Sequence, residues 1–240
     1  MKASVFEFRF AVAILLVVLA VGFWSPGVHG PTVWMLLAGW LSHQHWLTIR
    51  PASLTVGYAA ALLALLAAWL RTWAAAYVGS RIVSSRTLHA DRVVTAGPYR
   101  YFRHPIYVGS EIHLCALGIL MPLYGAVFVI VCGAILFYRL ALLEESRLSQ
   151  LEAYRAYCAR VRRFGPSLLP ADFAPAQPAR PRWGQAFLGE IYCWGATASF
   201  FLLVPQYNAL RILQGVGVSF GAYLIVKALW PAQPSIRAAA

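Results

Sequence analysis

The run from Ile106 to Leu143 is 38 residues of mostly apolar character. As one helix it would be ~57 Å long at the usual rise, nearly twice the ~30 Å hydrocarbon core of a bilayer. The turn Met121-Pro122-Leu123-Tyr124-Gly125 divides it, which predicts two antiparallel helices, the first of them short. The rest of the chain agrees with a lipid setting. Of its 240 residues 60% are hydrophobic and 12% charged, against about 25% charged in a soluble domain. One core of this length cannot hide so much apolar surface, so lipid covers part of it.

Further apolar stretches flank this hairpin. Phe10 to Trp24 follows Lys2 and Arg9; no small-residue cleavage site follows it, only Ser25-Pro26-Gly27, so it reads as a span rather than a removable signal. Pro31 to Trp46 comes next and predicts a first helical hairpin with it. Leu54 to about Tyr77 is another span, interrupted late by Arg71, whose long stem suits snorkelling to the interface. Ser80 to His104 is basic. Glu144 to Pro170 is polar and helical in pattern, and Ala171 to Trp183, rich in Pro and Ala, suits a linker. Two last spans, Phe187 to Val204 and Leu210 to Leu229, are separated by Pro205-Gln206-Tyr207-Asn208. The expected fold is all-α, a polytopic transmembrane helix bundle of about 6–7 spans. Residues 1–79 form N-terminal transmembrane helices, 80–170 a central core, 171–184 the linker and 185–240 a C-terminal transmembrane hairpin.

The formal net charge is +12, but the basic residues sit between apolar runs. That is how membrane proteins mark cytoplasmic loops, and it argues against a nucleic-acid partner. The clusters Arg81–Arg103 and Arg147–Arg182 bracket the central hairpin and so share one side, which the charge rule places in the cytoplasm. Two later spans return the C-terminus, with Arg237, to that side. Three spans before the first cluster would put Lys2 on the opposite side, unless one of the first two apolar runs is re-entrant. Cys115, Cys132, Cys158 and Cys193 show no CxxC or metal-ligand spacing and read as small buried hydrophobes. His43-Gln44-His45 reads as interfacial polar packing, and no metal site is expected.

Gly97-Pro98-Tyr99-Arg100-Tyr101-Phe102-Arg103-His104-Pro105-Ile106-Tyr107-Val108-Gly109 leads into the hairpin. Pro105 lacks a backbone donor and suits the first position of a helix. It pushes His104 toward an extended conformation, fit for a cap. A helix starting there aims unpaired amides and partial positive charge at the membrane edge, a ready site for an anionic group that Arg100 and Arg103 reinforce. Gly109, one turn in, leaves room for a flat ligand against the backbone. Tyr107 and Glu111 are four apart and share a face, and a glutamate inside an apolar span is costly and has a task by default. The arginines alone would equally suit an ordinary interfacial loop.

A second constellation closes the hairpin: Glu144-Glu145, Leu148, Leu151, Tyr154, Tyr157, Arg160 and Val161. Leu148, Leu151, Tyr154 and Tyr157/Cys158 recur at helical steps and make one apolar stripe. Arg147, Arg155, Arg162 and Arg163 decorate the rest and suit anionic lipid headgroups. Taken alone this is an amphipathic interfacial helix, with Glu144-Glu145 balancing the dipole at its start.

In this order, RHPxYxG, a helical hairpin, EExxL and then YxxYxxRV resemble the catalytic half of the isoprenylcysteine carboxyl methyltransferase and phospholipid methyltransferase superfamily of integral membrane methyltransferases. The resemblance covers roughly Leu70 to Pro170, so residues 80–170 would be the methyltransferase core. Two departures concern the second motif. Leu148 to Tyr154 is shorter than usual and lacks the common Phe-Gly, and the usual Val-Pro is Val161-Arg162. Arg162 or Arg163 is therefore an alternative to Arg160.

The resemblance implies S-adenosylmethionine-dependent methyl transfer at the cytoplasmic face of a bacterial inner membrane or an ER-type membrane. Its cofactor-binding positions would be Arg103, His104, Pro105, Tyr107, Gly109, Glu144 and Glu145. The helix-start amides with His104 and Arg103 suit the cofactor's carboxylate or adenosine, and the glutamates suit its amine or ribose hydroxyls. Tyr107 suits the sulfonium by cation–π attraction. Catalytic candidates are Arg160, Glu145 and Glu111; substrate would meet Tyr154, Tyr157 and Arg160. A carboxylate acceptor of the isoprenylcysteine type, the first expectation, needs only a cation such as Arg160 to place it. A phospholipid amine or small thiol would instead need deprotonation, with Glu111, Glu145 or His104 as candidates. The acceptor is lipophilic or small and reached from the bilayer. Two other classes stay open: a sterol-reductase-like NADPH enzyme, and a non-catalytic transporter or assembly factor, against which the lack of internal symmetry argues.

Overall fold

The computed structural model describes residues 2–24, 30–78, 93–167, 169–172 and 180–229. The turn at Ser25-Pro26-Gly27, the first basic cluster up to 92, residues 173–179 of the linker and Arg237 lie outside the described residues. The helices run α1 Val5–Phe23, α2 Val33–His43, α3 Ile49–Val78, α4 Pro105–Gly118, α5 Leu123–Leu148, α6 Glu152–Arg160, α7 Trp183–Gly189, α8 Ile191–Leu203 and α9 Ala209–Leu229. Among the described residues there is no strand, only isolated bridges between Thr32 and Pro122 and between Phe102 and Arg162. The fold is all-α.

α1 opens on a capping box. Ser4 Oγ accepts from the Glu7 amide at 3.1 Å while Glu7 Oε2 accepts from the Ser4 amide at 2.6 Å. The helix then runs antiparallel to α5. At one end Glu7 takes two bonds from Arg139, both 2.9 Å, and the Ala3 amide donates to the Arg139 carbonyl. At the other end Gly22 lies against Val129 and Gly125.

α2 corrects the expected first hairpin. Its 11 residues reach only ~16 Å, half the hydrocarbon thickness. Thr32 caps it, and the amides of Val33 and Trp34 donate to Met121 and Ile119 in the turn between α4 and α5. It therefore stays at the far end of the bundle, with His43 and His45 exposed there. α3, at 30 residues, is long and apolar enough to cross the full thickness. Pro51 sits in its first turn, where a missing donor costs nothing. α1 and α3 are each long and apolar enough to cross, and the contacts of Ala3 and Glu7 with Arg139 put the N-terminus beside the C-terminal half of α5. Lys2 no longer conflicts with the charge rule.

Along α3 a face of alanines, Ala60, Ala61, Ala64, Ala67, Ala68, Ala74 and Ala75, is buried. Small side chains let α4 and α8 approach closely, which is how helices pack in lipid. α4 and α5 form the predicted hairpin, turning at Met121-Pro122. Four of the described helices, α1, α3, α5 and α9, are long and apolar enough to cross a membrane. The pair α7–α8, bent by 67°, makes a fifth if taken as one span. That is fewer than the expected number, because α2 is too short and α4 has 14 residues, ~21 Å.

Candidate active site

The site is built where α4 begins and α5 ends. Pro105 is the first residue of α4 and His104 its N-cap, with no side chain among the described residues closing the first turn. His104 is instead held by backbone from far along the chain. The amides of Arg103 and His104 donate to the carbonyls of Arg162 and Arg163, at 2.9 and 3.3 Å, beside the Phe102–Arg162 bridge.

Glu144 and Glu145 stand in the last turns of α5, not at a helix start as the sequence suggested. Negative charge there opposes the helix dipole, so dipole compensation does not account for the pair. Cations and donors do. Arg163 grips Glu145 with Nε to Oε1 at 2.9 Å and Nη2 to Oε2 at 2.7 Å. Arg103 Nη1 reaches Glu145 Oε1 at 3.2 Å, while its Nε and Nη2 donate to the carbonyls of Val161 and Cys158. His104 bridges the two carboxylates, with Nε2 3.1 Å from Glu145 Oε1 and Nδ1 3.6 Å from Glu144 Oε2. Burial alone would push this imidazole down, but the hydrogen bonds and charges of Glu144 and Glu145 outweigh it and raise its pKa above the ordinary value.

Tyr107 completes the cluster. Its hydroxyl donates to Glu144 Oε1 at 2.5 Å, and its ring stacks between His104 and Phe137, with centroids 5.7 and 5.6 Å away. Phe164 adds a ring 5.7 Å from His104. Glu145 is spoken for by two arginines and His104. Glu144 is more open, its side chain 29% exposed against 12% for Glu145, so it retains lone pairs for a ligand.

Other expected residues fall elsewhere. Gly109 is not an opening for a ligand: a Cβ there would come 2.7 Å from Arg71 Cγ and 3.3 Å from the Ala67 carbonyl. Its lack of a side chain serves the contact between α4 and α3. Tyr154 and Tyr157 are buried in a small cluster with Val161, Leu148, Leu151 and Val93. Burial raises both phenols' pKa values, and the Tyr157 hydroxyl donates to the Tyr99 carbonyl at 2.7 Å. Arg160 is exposed and its Nη1 donates to the Asp172 carbonyl at 3.2 Å. Arg163, the alternative, is the one that reaches the glutamates. Glu111 lies two turns into α4, apart from the cluster.

Arg71 does not snorkel. Its Nε and Nη2 bond Glu190, at 2.7 and 3.1 Å, and Nη1 donates to Ser110 Oγ. Glu190, almost fully buried, marks the break between α7 and α8. Nearby, His113 Nε2 meets the Tyr192 hydroxyl at 3.1 Å. No local pattern foretold these contacts; the one signal was that Arg71 and Glu190 are both charges inside apolar runs.

The phospholipid methyltransferase family model matches residues 55–154, from within α3 to the start of α6. That stretch contains His104, Tyr107, Glu144 and Glu145 but neither Arg160 nor Arg163. The chain is also similar to the cobalt-zinc-cadmium resistance protein CzcN of Cupriavidus metallidurans, with 30% identity over 147 residues, 59% of this chain and 63% of that protein. The chain thus spans a little under two thirds of that relative. No solved structure matches. Over residues 55–154, from α3 to the start of α6, the chain is thus similar to the phospholipid methyltransferase family of membrane proteins.

Proposed function

We propose that the chain is an integral membrane methyltransferase that uses S-adenosylmethionine, bound where α4 begins and α5 ends. The observation that carries this is the position of Glu144. It is a partly exposed carboxylate at the membrane edge, held by Tyr107 and His104 and backed by a fully paired Glu145. The residues suit the cofactor's parts. Glu144 can accept from an ammonium or from ribose hydroxyls, the uncapped start of α4 suits a carboxylate, and the Tyr107 face suits a sulfonium. When bound, the cofactor supplies an electrophilic methyl group.

The chain's own task is then alignment and exclusion of water. The stack of His104, Tyr107 and Phe137 fixes the ring planes. Arg103 and Arg163 anchor Glu145, and with it the backbone at His104. Which residue faces the acceptor decides its class. A carboxylate acceptor at this site would be placed by Arg163 rather than Arg160, in competition with Glu145. A proton-bearing acceptor, such as a phospholipid amine or a thiol, is favoured by Glu111, whose carboxylate oxygens have no hydrogen-bond partner among the described residues. The charge of the loops supports an active site on the cytoplasmic face. Calorimetry with S-adenosylhomocysteine tests the cofactor. Micromolar binding lost in Glu144→Gln supports this reading, and NADPH binding in its place would overturn it.

A further inference from the structure

Arg71 on α3 is shared by three elements. Its Nε and Nη2 bond Glu190, between α7 and α8, at 2.7 and 3.1 Å, and its Nη1 donates to Ser110 Oγ on α4. Its stem fills the gap left by Gly109, where a Cβ would come 2.7 Å from Cγ. The Glu190 side chain is 3% exposed. Taking such a pair out of water is costly unless its remaining hydrogen bonds are also made, so the three elements lock together here.

Two further polar ties join the same helices. Trp194 Nε1 donates to Thr72 Oγ1 at 2.9 Å, and His113 Nε2 meets the Tyr192 hydroxyl at 3.1 Å. Small residues and polar contacts of this kind fix how one apolar helix lies on another. Arg71, Thr72, Ser110 and His113 fall within residues 55–154, the stretch that the family model matches, whereas Glu190, Tyr192 and Trp194 lie beyond it. The start of α8 is therefore keyed to the matched region. Of the three ties, the one through Arg71 leads toward the candidate site.

Ser110 passes it on. The hydroxyl that accepts from Arg71 also donates to the Ile106 carbonyl at 2.8 Å, in the first turn of α4. That carbonyl belongs to the peptide joining Ile106 to Tyr107, whose hydroxyl reaches Glu144 at 2.5 Å. Ser110 and Tyr107 leave the helix ~60° apart about its axis. Holding Ser110 toward α3 thus fixes the direction in which Tyr107 leaves α4.

We propose that Glu190 is a positioning residue of the site: through Arg71 and Ser110, the start of α8 sets the rotation of α4 that aims Tyr107 at Glu144. The C-terminal helices are then a working part of the site rather than an appendage to it. The consequence for ligand binding rests on the cofactor reading above.

The test uses the full-length protein in detergent and the variants Glu190→Gln, Ser110→Ala and Thr72→Val. Ser110→Ala cuts the relay while keeping the Arg71–Glu190 pair, so it decides the matter even if Glu190→Gln fails to fold. Thr72→Val loosens α8 without touching the relay. The first readout needs no ligand. In protein isotope-labelled at the tyrosine Cζ, the Tyr107 resonance, identified by its loss in Tyr107→Phe, should shift in Ser110→Ala and Glu190→Gln and stay in place in Thr72→Val. The second readout is S-adenosylhomocysteine affinity. It should fall about fivefold or more in Ser110→Ala and in Glu190→Gln. The double variant should lose no more than the worse single one, because both changes cut one relay. Thr72→Val should lower the melting temperature and keep affinity within about twofold. An unmoved Tyr107 resonance in Ser110→Ala, or affinity losses that simply follow melting temperature across the three variants, would overturn the proposal. Failure of wild type to bind S-adenosylhomocysteine while the resonance shifts as expected would strike the cofactor reading and leave the relay standing.

Discussion

Arg163 and Glu145 meet as two planar groups joined by paired bonds of 2.9 and 2.7 Å. This ties the chain beyond α6 to the end of α5, and through the Arg163 carbonyl to the His104 amide. The pair is therefore both an ion pair and a backbone clamp on the first turn of α4. Glu145 in turn raises the Arg163 pKa through these hydrogen bonds, so the guanidinium stays charged at any working pH.

Arg163→Ala should reduce S-adenosylhomocysteine affinity by tenfold or more, since a charge-assisted bond is worth about 1.5–3 kcal/mol. Arg163→Lys should restore little, because an ammonium cannot reproduce the fork. Arg160→Ala should leave affinity within about twofold. Isothermal titration of the three purified variants decides this; equal losses at both arginines would contradict the geometry.

The adjacent glutamates should separate in their effects. Glu145→Gln leaves Arg103 and Arg163 without their counter-charge and should lower the melting temperature in detergent as well as binding. Glu144→Gln should weaken binding alone, as the more exposed group. Thermal unfolding and titration on the same preparations distinguish the two.

The pH dependence of stability follows from His104. Its folded pKa lies above its value in the unfolded chain, about 6.5 for a free imidazole, because Glu144 and Glu145 outweigh the cost of burial. The stabilising contribution is thus complete below about pH 6.5 and is lost as pH rises through the higher folded value. Melting temperature should fall as pH rises above about 6.5 in wild type, and the slope should flatten in His104→Asn. A parallel decline in both proteins would assign the effect to another group.

Gly109→Ala should destabilise the protein without any ligand present. The new methyl group would press on Arg71 Cγ, whose guanidinium is tethered to Glu190 and Ser110 and cannot readily swing aside. Overpacking of this kind costs about 1–3 kcal/mol, and thermal unfolding measures it.

A cysteine introduced at Ser4 should react with a membrane-impermeant thiol reagent from the same side as one introduced at Gly165. One at Gln44 should react from the other. Reaction of the first two from opposite sides would refute the crossing of α1 and α3 inferred from the Glu7–Arg139 contact.

Much of the site was legible because its signals are local. Pro105 dictates where α4 starts, and the step from Tyr107 to Glu111 follows from helical spacing. What failed to show was set by contacts between distant residues or by hydropathy that ignores helix ends. The run from Pro31 to Trp46 is apolar enough for a span, yet Thr32 starts its helix late and the helix stops at His43. Glu144 and Glu145 look like the opening of a polar helix, whereas α5 carries its helical hydrogen bonding past them to Leu148. Gly109 invites a ligand on paper because nothing in the local sequence reveals that Ala67 and Arg71 come to rest against it. Arg160 and Arg163 cannot be told apart from spacing. The parallel bridge between Phe102 and Arg162 is what brings Arg163, not Arg160, to Glu145.

That bridge has a temporal side. Synthesis runs from the N-terminus, so the His104 loop leaves the ribosome about sixty residues before the segment that completes it. Until Arg162 and Arg163 emerge, the amides of Arg103 and His104 have no carbonyls to meet, and Glu145 enters the lipid edge without the paired bonds of Arg163. The hairpin of α4 and α5 can insert beforehand, because its own contacts are near neighbours in sequence. Finishing the loop must wait, since it closes the longer circuit. A nascent chain halted before residue 163 would have the helices in place with the site still unassembled, and a membrane chaperone or protease would meet that half-built form first.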